Sequence, residues 1–149
     1  MDKYKELRNL ARKHMATIWK IHKMGGHLEG EDERLADIME EHKEYHRVWD
    51  TADKIVDNEY TVEGINPFLH IQVHLIVENQ LAMGEPKVVK EVVEELNKLG
   101  LSHHEIVHRI GIPLSEQIFD MLKNNVLFNE ERYAQDLRKI VEEIKNRQK

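Results

Sequence analysis

Residues 66–83, NPFLHIQVHLIVENQLAM, constrain the fold more than any other stretch of the chain. Apolar residues from Phe68 to Met83 fall on nearly every side of a helical wheel, and a helix apolar all round is stable only when packed on most of its circumference. Asn66 suits an N-cap and Pro67 the first helical position. The segment is therefore expected to be a central, buried helix over about 67–83, and the remainder of the chain has to cover it.

The remainder reads as helix almost throughout. A first helix over about 3–24 places Leu7, Leu10, Ala11, His14, Ile18 and Ile21 on one side and ends at Gly25-Gly26. A second, over about 31–50, groups Leu35, Ile38, Met39, His42, Tyr45, His46 and Trp49. A connector from Asn58 to Pro67 carries the turn residues Gly64 and Asn66. A helix over about 86–99 has valines at helical spacing, and Gly100 stops it. Ser102 can cap the next, which Gly111 and Pro113 are expected to kink or break before it resumes to about Asn124. The last spans about 129–147. With 149 residues, no internal repeat and no linker, the expectation is an all-α fold, a single-domain helical bundle of five to six helices over residues 1–149.

Composition excludes several kinds of protein. There is no cysteine, so disulfides, thiolate metal sites and cysteine nucleophiles are ruled out. No apolar run approaches the roughly 20 residues of a membrane span, and the first residues lack a signal-peptide core. A net charge of −6 argues against a nucleic-acid partner. Lys3, Lys5, Arg8, Arg12 and Lys13 read as a solvated helix face. A cytoplasmic protein without a membrane or nucleic-acid partner follows; a homo-oligomer stays open. No P-loop, dinucleotide-binding glycine pattern or nucleophile elbow is present.

Histidine is the residue type that carries chemistry here. There are ten, and six form three pairs spaced four apart: His42 and His46, His70 and His74, His104 and His108. On the wheel each pair falls on the apolar side of its helix, and Glu78 extends the His70–His74 row by one turn. Side chains four apart are neighbours on one helix face, within reach of a common ion. Bundles build metal sites from such inward-facing residues on several helices, and neutral imidazole binds zinc, iron or nickel. His42, His46, His70, His74, His104 and His108, with Glu78 as an accessory oxygen ligand, are thus the expected ligands of a transition metal ion. His14 is expected in the core, His22 at a face edge, His27 in a loop and His103 in solvent.

Residues 104–108, HEIVH, also fit the H-E-x-x-H pattern, in which Glu105 would act as general base on zinc-bound water. A metallopeptidase is therefore an alternative, although Leu114 stands where a metzincin would have its third histidine. A metal-free helical interaction module is the other.

The segments HKEYH at 42–46 and NPFLHIQVHLIVENQ at 66–80, with the histidines at 104 and 108, resemble an uncharacterised family of small bacterial proteins, a domain of unknown function whose members carry HPEYH and NPFLHxxxHxxxxEQ. The likeness covers about residues 19–122. It implies a helical, histidine-bearing domain, with His42, His46, His70, His74 and His108 as motif histidines, and supplies no activity. Lys43 replaces the usual proline, and Asn79 stands where the family tends to have glutamate. Hemerythrin-like and ferritin-like bundles are similar in architecture only.

Overall fold

The computed structural model describes residues 3–56 and 60–149. The fold is all-α. The described residues form seven α-helices: α1 (Lys3–Lys23), α2 (Gly30–Glu41), α3 (His46–Asp50), α4 (Pro67–Met83), α5 (Lys87–Lys98), α6 (His103–Asn124) and α7 (Glu130–Arg147), with 3₁₀ turns at Lys43–Tyr45 and Ala52–Lys54. Among them there is no β-strand, only an isolated bridge between Val62 and Ile65. No helix is long and apolar enough to cross a membrane. The chain divides into two compact units, Met1–Leu75 and Ile76–Lys149, with the division falling inside α4.

In the first unit the core is built from Met15, Ile18 and Trp19 of α1, Leu35, Ile38 and Met39 of α2, Tyr45, Val48 and Trp49 after it, and Phe68, Ile71 and Leu75 of α4. The inward face of α1 differs from the expected one. Leu10 and His14 are exposed, and His14 pairs with Asp32 at 3.1 Å instead of entering the core. Arg12, expected in solvent, is 1% exposed. Its guanidinium lies 4.6 Å over the Phe68 ring and donates to the Ile55 carbonyl at 2.9 Å, which compensates a cation taken from water. The side chains of Lys3, Lys5 and Leu7 lie outside the described residues, as does Asn58 at the start of the connector.

The expected 31–50 helix is in fact broken. α2 stops at Glu41, where His42 leaves the helical region at φ −94° and ψ 69°. The carbonyls that α2 leaves without intrahelical partners are met by side chains. The His42 Nδ1–H donates to Ile38 O at 2.7 Å, Trp49 Nε1–H to Met39 O at 3.1 Å, and His46 Nε2–H to Glu40 O at 3.0 Å. Three ring N–H groups thus terminate a helix that periodicity alone carries onward.

The α4 boundaries match expectation. The Asn66 side-chain oxygen accepts from the backbone N–H groups of Phe68 and Leu69 at 3.0 and 3.2 Å, and Pro67 opens the helix. Phe68, Ile71, Val73, Leu75 and Val77 are buried on several sides of the wheel, as an all-round apolar helix requires.

In the second unit α5, α6 and α7 pack through Val89, Val92 and Leu96, through Ile106, Val107, Ile110 and Leu114, and through Tyr133, Leu137, Val141 and Ile144. Ser102 caps α6 by accepting from Glu105 N at 3.2 Å. α6 then runs unbroken through Gly111 and Pro113, both buried, instead of breaking there. Packing on this face outweighs the backbone hydrogen bond that proline removes. The buried Gln117 amide donates to Asn129 O at 2.9 Å and accepts from Asn129 N at 2.8 Å, fixing the turn into α7.

Candidate metal centre

In the first unit the bend at His42 and the register of α4 bring three imidazoles together. The His42 ring meets the His70 ring at 5.0 Å between centroids and the His74 ring at 4.6 Å, edge to face in both cases. His70 and His74, one turn apart on α4, are 4.8 Å from each other. Tyr45 borders the group, 6.2 Å from both His42 and His70. Burial of the Tyr45 phenol, with the carboxylates of Glu44 and Glu63 nearby, raises its pKa above the usual tyrosine value, so the ring stays neutral.

His42 and His74 are nearly inaccessible, 1% and 4% exposed, whereas His70 is half-buried. The hydrogen bond to Ile38 O also settles the His42 tautomer. A carbonyl only accepts, so Nδ1 carries a proton, and in the neutral ring the lone pair is then on Nε2. Anchoring of a ring by a backbone carbonyl is the arrangement that orients metal-binding histidines.

His46 is placed elsewhere. Its ring packs 4.8 Å from Trp19 and its Nε2–H caps α2 at Glu40 O. The Glu40 carboxylate lies near both this nitrogen, at 3.9 Å, and His22 Nε2, at 3.4 Å. The break at His42 thus separates two histidines that a continuous helix would hold on one face.

In the second unit His104 and His108 stack one turn apart near the start of α6, 4.4 Å between centroids. Both are less buried than the wheel implied: His104 is exposed and His108 half-buried. Glu105 is exposed, and its backbone N–H is engaged by Ser102. Glu78 is drawn to His103, with Oε1 at 2.5 Å from Nε2. That contact places the carboxylate beside the first residue of α6, where a negative charge also complements the helix dipole.

His42 and His74 in the first unit, and His104 and His108 in the second, each offer one ring nitrogen that a metal ion can take.

Helices throughout and a histidine cluster able to take a metal define the class, an all-α protein with a candidate metal centre. The family described as Domain of unknown function (DUF1841) matches residues 7–139, and the chain belongs to it. Membership in an uncharacterised domain family is what the sequence resemblance implied. No curated protein and no solved structure matches the chain.

Proposed function

We propose that the protein binds one transition metal ion through His42, His74, His104 and His108. The observation that carries this reading is the packing of the buried His42 ring against His74, 4.6 Å between centroids, with His104 and His108 stacked at 4.4 Å in the second unit. Zinc bonded to imidazole at about 2.0–2.1 Å in a tetrahedron separates neighbouring nitrogens by roughly 3.3 Å, a spacing within reach of side chains one turn apart on a helix.

The donor set also narrows the ion. Four neutral imidazoles and no carboxylate or thiolate suit borderline ions such as zinc, iron or nickel, not the oxygen-seeking magnesium and calcium. His70, against two of the rings, sits next to the ligands and orients them by contact. Glu78, held by His103, fixes the start of α6 on which two ligands stand.

Calorimetric titration of the untagged, metal-stripped protein with zinc and with nickel tests the reading. The expected result is saturation at one ion per chain, with His74→Ala or His104→Ala weakening uptake at least tenfold and His46→Ala or His22→Ala leaving it in place. Equal uptake by all four variants would contradict this ligand set.

A further inference from the structure

The second half of α6 presents an apolar face that its own unit does not cover. Ile112, Phe119 and Leu122 are 60%, 60% and 58% exposed, and Val126 and Leu127 lie exposed just past the helix end. At 100° per residue Ile112, Phe119 and Lys123 fall nearly in line, with Glu116 and Leu122 to either side. The opposite face is occupied, since Ile110, Leu114 and Gln117 are buried. Large apolar side chains gathered on so short a segment exceed the scattered exposure of an ordinary surface and mark a surface that another molecule covers.

Charge identifies the occupant. The chain carries −6, so a second copy is repelled over most of the surface. On this face, by contrast, the charges balance. Glu116 stands three residues before Phe119 and Lys123 four after it, with the Lys123 ammonium 5.4 Å over the Phe119 ring. The next charge along, Asp120, is paired with Arg132 at 3.2 Å. Such a face is complementary to itself: in an antiparallel copy related by a two-fold axis at Phe119, residues one turn before the axis meet residues one turn after it. Lys123 of one copy then approaches Glu116 of the other.

We propose that this face of α6 pairs with the same face of a second copy of the chain, forming a two-fold dimer with Phe119 on the axis and reciprocal Glu116–Lys123 ion pairs flanking it. The proposal is independent of the metal reading, because none of these residues is a candidate ligand.

Sedimentation equilibrium of the full chain over a concentration series up to about 100 µM tests it. The unmodified protein is expected to sediment at twice the chain mass at the upper end. Phe119→Glu, at an exposed position, is expected to raise the dissociation constant at least tenfold while circular dichroism stays unchanged. Glu116→Lys and Lys123→Glu each weaken association about threefold, as a rim ion pair does, and the double reversal Glu116→Lys/Lys123→Glu restores it. A monomer throughout the series, or a dimer indifferent to Phe119→Glu, would overturn the proposal. A double reversal no better than either single change would overturn the two-fold pairing of Glu116 with Lys123.

Discussion

The His42 ring donates its Nδ1–H to the carbonyl of Ile38 at 2.7 Å, taking the acceptor that its own backbone N–H would use if α2 continued. One contact therefore does two things. It ends α2, and it fixes the orientation of a ring that packs against His74, 4.6 Å away between centroids. Fold and candidate site are joined at this residue.

His42→Ala should consequently affect both. Loss of the cap and of a buried ring is expected to cost about 1–3 kcal/mol in urea unfolding of the metal-free protein, and metal uptake should fall as well. His46→Ala also removes a cap and the ring packed on Trp19, yet should leave metal uptake intact. Similar metal affinities for the two variants would place His42 outside the site.

Glu78 and His103 form a partly exposed pair, 24% and 58% accessible at their side chains. Solvent screening limits what such a pair contributes, so Glu78→Gln should lower stability by about 0–1 kcal/mol. Metal stoichiometry should not change. A variant that folds normally but loses its metal would make Glu78 a ligand after all.

Helix boundaries were the most legible part of the sequence, because caps are local chemistry. Asn66, Ser102 and Asn129 each accept a backbone N–H at the start of α4, α6 and α7. Replacing any one with Ala should cost about 1 kcal/mol. Asn66→Ala should be the clearest case, as its oxygen accepts from two N–H groups.

The break after Glu41 was not legible for the opposite reason. The periodicity of Leu35, Ile38, Met39, Tyr45 and Trp49 continues across it, and the groups that stop the helix are ring N–H donors from up to ten residues downstream. Arg12 shows the same limit, since the groups that help make its burial tolerable, the Phe68 ring and the Ile55 carbonyl, lie far along the chain. Of the three HxxxH pairs, the α4 and α6 pairs kept their helical spacing, whereas the first was divided by a bend that no local pattern announces. Proline at 113 did not end α6 for a related reason: Gly111, Pro113 and Leu114 are buried, and packing there outweighs the lost hydrogen bond.

Tyr133 gives a prediction in pH. Its phenol is buried and its pKa is raised well above the ordinary value of 10.0 by desolvation, an effect that the hydrogen bond to Gln80 at 2.9 Å only partly offsets. In the unfolded chain the same phenol ionises near its ordinary value. Above about pH 10 the unfolded state therefore binds fewer protons, and stability falls as pH rises. Chemical denaturation between pH 9 and 11, a range of about two units around that value, should show this decline. Tyr133→Phe should flatten it, with the remaining slope due to Tyr45, while losing about 1 kcal/mol at neutral pH from the broken hydrogen bond.

Metal affinity should move with pH in the opposite sense, because imidazole binds a metal only when unprotonated. Uptake is expected to weaken steadily as the solution is acidified. A steeper loss than one proton per ion would show several histidines releasing together, in agreement with a multi-histidine site.

The most direct test of the metal site is elemental analysis of untagged protein purified without added metal, followed by titration with zinc, iron(II) and nickel. The account predicts close to one equivalent of a transition metal per chain, as isolated or after titration, and its loss in His42→Ala and His74→Ala. Less than about a tenth of an equivalent of every transition metal, with no uptake on titration, would contradict it.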